Sequence, residues 1–155
     1  MRLLLIAVAL HPICFGECRG ESPVVRGGRV ETMAELEAYQ SFHEIERLGL
    51  FLEEQGAIDL PDLQKAQIIK IESDQVTAVS LPALKSVSQL TIRGRNIKTN
   101  ELPNLENVSG ALQIQGTSVR QLDLASLGHA GILNVAGNPE LELLRAPFVY
   151  EFEHV

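Results

Sequence analysis

Seven polar side chains stand next to apolar residues at alternating positions in the middle of the chain. Alternation of apolar and polar residues is typical of short strands with one buried side. We therefore expect these polar groups to point outward from one sheet, where they could recognise a protein or a glycan. The alternative is a solvated sheet surface without a ligand. The residues are Lys70, Glu72, Thr91, Arg93, Gln113, Gln115 and Asn134.

The seven residues form two predicted rows across the sheet, and these rows lack the arrangement that catalysis would need. One row holds Lys70, Thr91, Gln113 and Asn134, and the other holds Glu72, Arg93 and Gln115. Glu72 and Arg93 are neighbours of opposite sign, which favours a cross-strand ion pair. No two carboxylates meet in these rows, as they would in a polysaccharide hydrolase. The chain has no HExxH, GxSxG, P-loop, CxxC or GxGxxG motif, and its histidines are scattered, at His11, His43, His129 and His154. We expect no enzymatic activity, no cofactor and no metal site.

A repeat of 21 or 22 residues predicts where these strands lie. Its marker is a Leu-Pro-x-Leu turn or a close variant, and each coil then repeats the same apolar spacing and ends in a strand such as Leu90–Ile92 or Leu112–Ile114. Stacked coils build parallel sheets with a spacing of about 4.8 Å. We therefore predict a mainly β fold, a right-handed parallel β-solenoid. Its coils begin near Tyr39, Leu60, Leu81, Leu102, Leu124 and Ala146.

Proline and glycine mark the predicted corners of the coils. Proline follows the first leucine of most turns, where no central ladder bond is needed from its nitrogen. Glycine closes three of the strands, where a permissive backbone is expected. The glycines are Gly94, Gly116 and Gly137, and the prolines are Pro61, Pro82, Pro103 and Pro147.

Asn100 is the one polar residue at the repeated inward positions of the four coils from Leu60 to Leu144. It corresponds to Val79 in the preceding coil and to Leu122 in the next. The favoured prediction is that its side chain hydrogen-bonds a corner carbonyl, because a buried amide without a partner is costly. The alternative is a local excursion of the chain.

The two ends of the solenoid carry different signals. Thr32 and Glu35 have the spacing of a capping box, so Met33 to Gln40 is predicted to form a short helix that covers the first coil. Residues 21–30 are predicted to be a flexible lead-in. At the other end the sixth coil is incomplete, and residues 146–155 could leave an adhesive end that self-associates or could fold over it as an aromatic strand.

Residues 1–20 have the layout of a secretory signal peptide, with Arg2 before an apolar run from Leu3 to Leu10 and small residues after it. The run is too short to span a bilayer. Both cysteines, Cys14 and Cys18, lie in this part of the chain, so no disulfide is expected in the solenoid. The predicted location is secreted, periplasmic or at the cell surface.

The net charge argues against nucleic acid as a partner. The full chain carries −7. Loss of residues 1–20 removes two basic residues and one acidic residue and makes the charge −8. A surface of that sign repels a phosphate backbone.

The capped helix and the coils of the form Leu-Pro-x-Leu-x-x-Val with a later Leu-x-Ile-x-Gly resemble the receptor L-domain family, from Glu31 to Val155. Their clearest stretches are Leu102 to Gly116 and Leu124 to Asn138. That family includes ligand-binding domains of insulin- and EGF-type receptors and fungal cell-wall proteins. The resemblance implies a surface binding or adhesion module for residues 31–155. The usual first-coil cysteine is replaced here by Ser41-Phe42.

Two further functional expectations follow from the sequence. The alternative to a binding module is an envelope or cell-wall structural protein without a discrete ligand, or a fragment of a longer receptor-like protein. Asn107, Val108 and Ser109 form a glycosylation sequon, in which Asn107 should point outward. The sequon has meaning only in a eukaryotic secretory pathway.

Overall fold

The structure is a computed structural model that describes residues 25–146. Within that range the chain forms the predicted parallel β-solenoid of 21- and 22-residue coils. The predicted leader, lead-in residues 21–24 and residues 147–155 lie outside the described residues. The elements are β1 (Arg29–Val30), α1 (Met33–Glu37), β2 (Glu44–Leu50), β3 (Gly56–Asp59), β4 (Lys65–Glu72), β5 (Val76–Ser80), β6 (Ser86–Arg93), β7 (Thr99–Glu101), β8 (Asn107–Gln115), β9 (Gln121–Asp123), β10 (His129–Ala136) and β11 (Leu143–Arg145).

One face of the solenoid is a parallel sheet of six strands in the order β1-β2-β4-β6-β8-β10, which we call the long sheet. Leu90 is paired with Leu112 and Ile92 with Ile114, as predicted. The register shifts once between β6 and β8, after Val87, because β8 contains one extra residue there. Gly110 lies in this bulge, and a Cβ on it would stand 2.7 Å from the Ser88 carbonyl oxygen. The bulge therefore absorbs the change in coil length from 21 to 22.

The opposite strands form two separate sheets, β3-β5-β7 and β9-β11. Within residues 25–146 no ladder joins β7 to β9, although these strands are consecutive in the stack. In three places the backbone N–H of the first leucine of a turn donates a hydrogen bond to a backbone carbonyl at the end of the next strand in the stack. Leu60 donates to Ser80, Leu81 to Glu101 and Leu124 to Arg145. The equivalent bond from Leu102 to Asp123 is missing. We call the gap between β7 and β9 the seam.

The core is one column of leucine, isoleucine and valine side chains from the inward repeat positions. The residues predicted to point inward are buried throughout the coils that begin at Leu60, Leu81 and Leu102. The last coil differs, because Val135 and Leu141 are only partly buried and Leu144 is 38% exposed. Burial thus decreases toward the last described coil.

The corners are held by short turns and by side chains that donate to the coil before. Leu63, Leu84 and Leu127 donate backbone hydrogen bonds to the leucines three residues earlier, which closes the turns. Phe42 donates in the same way to Tyr39, as expected if the first coil begins there. Side chains also tie one corner to the preceding coil, as where Asn104 donates to the Pro82 carbonyl over 2.7 Å.

The N-terminal cap follows the capping-box prediction but is shorter than expected. The Glu35 amide donates to Thr32 Oγ1 over 3.2 Å, and Glu35 accepts from the Thr32 amide. Leu36 anchors the helix in the core. The helix ends at Glu37 instead of Gln40, because the chain from Ala38 onward already makes the tight turns that open the first coil.

The described part of the lead-in pairs with the long sheet, where a flexible segment was expected. Val25 forms a bridge to Ile45, and β1 pairs with Gly49 and Leu50. Gly27 has φ +69°, and a Cβ there would lie 1.7 Å from the Arg47 carbonyl oxygen. The glycine that suggested flexibility is required instead for a close approach to β2.

Candidate functional site

The seven predicted residues lie on the outer side of the long sheet, in two adjacent rows. Lys70, Thr91, Gln113 and Asn134 are paired in register from β4 to β10. Glu72, Arg93 and Gln115 form the second row, which continues to Ala136. The structure therefore brings all seven together, and we call this surface the sheet face.

Charged groups cluster at the end of the sheet face that is nearer the N-terminus. The Glu72 carboxylate lies 3.1 Å from Lys70 Nζ and 3.6 Å from Arg93 Nη1. The second distance confirms the predicted ion pair between neighbouring strands. One carboxylate thus pairs with two cations, so this end of the sheet face carries an excess of positive charge. Lys70 and Arg93 are about half exposed, with side-chain exposures of 47% and 49%.

An aromatic residue that the sequence reasoning missed extends the second row. Phe51 follows β2, next to Glu72 in the stack, and its ring lies 4.6 Å from the Arg29 guanidinium and 5.6 Å from Lys70 Nζ. Gly49 leaves room for the ring, because a Cβ there would lie 2.9 Å from Phe51 Cε2. Counting back 21 residues from Glu72 reaches Phe51, so the repeat itself contained the signal.

The other end of the sheet face is uncharged. Gln113, Gln115 and Asn134 are half-buried, and no hydrogen bond joins their side-chain amides to another group in the described residues. Each amide has both donors and an acceptor. This end can therefore form several hydrogen bonds with a partner without breaking bonds within the protein.

Asp74, whose carboxyl group has a lowered pKa, lies at the corner beside the sheet face, beyond its second row. The side-chain hydrogen bond from Arg95 lowers the pKa of Asp74, and a backbone hydrogen bond from Arg95 acts in the same direction. The closest approach is 2.8 Å, from Arg95 Nη2 to Asp74 Oδ2. Both groups are exposed to solvent, so this pair ties one corner to the next and does not resemble a tuned catalytic acid.

Asn107 opens β8 at the edge of the same surface, between Ser86 and His129 in register. Its side chain is exposed, which agrees with the outward orientation expected for the sequon. A glycan here would lie beside the sheet face and not across it, because both rows of the face are at the other end of the strands.

Asn100 does not make its predicted hydrogen bond. The residue is only 7% exposed, and neither its amide nitrogen nor its amide oxygen has a hydrogen-bond partner in the described part of the chain. The prediction of a bond to a corner carbonyl is therefore wrong. Asn100 is paired with Val79 in β5 and lies at the seam, where β7 has no ladder to β9.

The comparisons with known proteins give no relative: no family model, no curated protein and no solved structure matches this chain. No helix in the range 25–146 is long and apolar enough to cross a membrane. Nor do three or more His, Cys, Asp or Glu residues there form a group that could hold a metal ion.

Proposed function

We propose that this protein is a secreted or cell-surface binding module of the receptor L-domain type that recognises a macromolecular partner through its sheet face. The observation that carries the proposal is the alignment of seven polar side chains, with Phe51, on one rigid sheet. Solenoids offer such extended surfaces for binding because each coil adds one more strand to the same face.

The dimensions of the outer side of the long sheet, of which the sheet face is one part, favour a protein partner over a small ligand. The five full strands at about 4.8 Å, each of about eight residues at about 3.3 Å, give that whole side an area of about 600 Å². A standard protein interface covers about 800 Å² on each partner. Aromatic residues and arginine are enriched in such interfaces, so Phe51 and Arg93 are expected to be the strongest contacts and the amides to fix the orientation.

The proposal is tested by screening the chain against protein and glycan arrays and then replacing Arg93, Gln113 and Gln115 together by alanine. We expect the variant to lose the array hit while keeping its circular dichroism spectrum. A matched control replaces Gln64, Gln75 and Lys85, which are also one cation and two amides but lie at exposed corners. A hit that survives the first triple variant places the binding surface elsewhere.

A second candidate is an envelope structural protein that assembles through one end of the stack. The observation that favours it is the exposure of Ile132, Leu143 and Leu144 in the last described coil, at 44%, 39% and 38%. Exposed apolar groups beside unpaired strands are adhesive. Sedimentation of the intact chain over a range of concentrations distinguishes the two, because only assembly predicts concentration-dependent oligomers that Leu143→Ser and Leu144→Ser abolish.

A further inference from the structure

The outer side of the long sheet is basic, although the rest of the described surface is acidic. Six exposed cations lie on this side or on the first edge of the sheet: Arg26, Arg29, Arg47, Lys65, Lys70 and Arg93. Four carboxylates share it with them, those of Glu31, Glu44, Glu46 and Glu72. The remainder of residues 25–146 carries five cations but twelve carboxylates. The described part of the chain therefore has two sides of opposite charge.

The charges on the outer side of the long sheet are confined to one half of it. All ten lie on or beside β1, β2, β4 and β6, whereas β8 and β10 hold no lysine, arginine, aspartate or glutamate. The uncharged half presents the amides of Gln113, Gln115 and Asn134 together with Ile132, which is 44% exposed. A partner that covers the whole side must therefore match a charged half and an uncharged half.

Arg26 and Arg47 are the cations most available to a partner. The Arg47 N–H donates a hydrogen bond of 3.3 Å to the Arg26 carbonyl, so the two residues lie on adjacent segments of the sheet. Both are exposed, and neither forms an ion pair within the described residues. The other four cations each lie within 3.6 Å of a carboxylate. Carboxylates of a partner can therefore pair with Arg26 and Arg47 without breaking an ion pair of this protein.

Arg29 and Lys70 are held in place before a partner binds. Their charged groups lie 4.6 Å and 5.6 Å from the centre of the Phe51 ring. Their carboxylate neighbours, Glu31 and Glu72, lie 2.6 Å and 3.1 Å away. Long side chains lose conformational freedom when they bind, and the loss is smaller where the side chain is already ordered. Both cations keep further N–H donors for a partner, so they can contribute at a reduced entropic cost.

The mixture of charges favours an acidic protein over a uniform polyanion. Glu31, Glu46 and Glu72 lie among the cations, and a sulfated polysaccharide would bring further negative groups against them. Such a polysaccharide, or a nucleic acid, would also extend beyond this side to the acidic remainder of the surface. A protein segment can place carboxylates opposite the cations and neutral or basic groups opposite the three glutamates.

We infer that the partner of the sheet face is an acidic protein segment that binds in one direction along the stack. Its carboxylates lie over β1, β2, β4 and β6, and its uncharged residues lie over β8 and β10. The acidic opposite side is about one sheet spacing, about 10 Å, farther away, and physiological salt screens charges over about 8 Å. The partner therefore responds mainly to the basic side. This inference rests on the binding function proposed for the sheet face and adds the charge and the direction of the partner.

The test is an NMR titration of the full, ¹⁵N-labelled chain with a synthetic peptide that has an acidic half and an uncharged half. About twelve residues suffice, because β2 to β10 spans about 19 Å and an extended peptide covers about 3.3 Å per residue. We expect saturable shifts in the amide signals of the long sheet from Arg47 to Asn134. A nitroxide on the acidic end of the peptide should broaden signals of β2 and β4, and one on the uncharged end should broaden those of β8 and β10.

Charge reversal distinguishes the basic side from the net charge of the protein. Arg26→Glu with Arg47→Glu should weaken binding of the peptide about tenfold or more, because like charges at a contact repel strongly. Lys85→Glu with Lys98→Glu makes the same change in net charge and is the matched control. Both lysines are exposed, lie away from the sheet face and form no ion pair within the described residues. The control should bind within about twofold of wild type at physiological ionic strength.

Four results would overturn the inference. The first is a lack of saturable shifts on the sheet face with the acidic peptide, or equal shifts with a peptide whose acidic residues are replaced by lysine. The second is an equal loss of binding in the two double variants. The third is broadening of the same signals by both nitroxides. The fourth is tighter binding of a heparin-derived hexasaccharide than of the acidic peptide.

These failures differ from a failure of the proposed function. If an array hit is lost in the variant of Arg93, Gln113 and Gln115 but has no acidic segment, the sheet face binds and only the inference is wrong. If every hit survives in that variant, the proposed function is wrong and the inference falls with it.

Discussion

The long sheet and the face opposite it are built from the same repeat, yet only the long sheet is continuous. Its ladder passes from β2 to β10 and absorbs an extra residue in β8 as a bulge. The opposite ladder is interrupted between β7 and β9, where the inward position is occupied by Asn100 and not by an aliphatic residue. A solenoid therefore tolerates a change in coil length more easily than an unpaired polar group in its column of core side chains.

The largest expected effect is on the long sheet, from a charge placed in its core. Leu90→Asp or Ile114→Asp buries a carboxylate that has no partner, which costs several kcal/mol and should unfold the stack. Circular dichroism and urea unfolding measure the effect.

Leu144→Asp is the control, because Leu144 occupies a predicted inward position on the opposite face, paired with Leu122, but is 38% exposed. Its free energy of unfolding should change by less than about 1 kcal/mol, as for ordinary surface replacements. Equal losses in Leu90→Asp and Leu144→Asp would contradict the difference in burial between the middle and the last described coil.

The second prediction concerns the seam, where a substitution should raise the free energy of unfolding instead of lowering it. Asn100→Leu replaces an unpaired buried amide by a side chain of similar size that matches Leu122, so the free energy of unfolding should rise by about 1–3 kcal/mol. Val79→Asn makes the reverse change one coil earlier and should lower it by a similar amount. Urea unfolding of the two variants gives both values, and a destabilised Asn100→Leu would mean that the amide has a partner after all.

Hydrogen exchange offers a third and smaller test of the comparison. Amides beside the seam, such as that of Leu102, should exchange faster than those of Ile71 and Ile92 in the long sheet, because local opening there breaks fewer hydrogen bonds. Asn100→Leu should slow exchange at Leu102 and leave Ile71 unchanged. Uniform exchange across both faces would show that the stack opens only as a whole.

Most of the fold could be predicted because every coil repeats the same environment. The spacing of Leu60, Leu81 and Leu102 predicted the turns, and the alternation in each strand placed Lys70, Thr91 and Gln113 in one row. Regular patterns of this kind average over many weak local preferences. The register of the long sheet was accordingly confirmed, as were the inward positions of the coils that begin at Leu60, Leu81 and Leu102.

The remaining features depend on contacts between coils, which a repeat pattern does not contain. Gly27 suggested a flexible lead-in, but it fits against the Arg47 carbonyl of a strand 20 residues later. The missing partner of Asn100 reflects the whole neighbourhood of β7 and β9, and nothing in its own segment signals it. Phe51 was missed because the rows were counted only from the coil that begins at Leu60.

The smallest expected effect lies at the corner that joins the two faces, where Arg95 pairs with Asp74. The pKa of Asp74 is lowered from its ordinary value of 3.8, first by the side-chain hydrogen bond from Arg95. The pKa of Asp74 is lower in the folded protein than in the unfolded chain. The pair therefore stabilises the protein at pH values above the unfolded pKa, and this contribution is lost as the pH falls through the folded pKa. Wild type should therefore be slightly more stable than Arg95→Ala near pH 7, and the difference should vanish in strong acid.

Salt should remove the same difference, because both side chains are exposed and their attraction is screened at high ionic strength. Thermal unfolding of wild type and Arg95→Ala, with and without about 1 M NaCl, measures both dependences. Lys85→Ala is the matched control, since Lys85 is an exposed cation at another corner and has no ion pair in the described residues. A difference between wild type and Arg95→Ala that persists in acid and in salt would mean that Arg95 acts through packing at the corner and not through its charge.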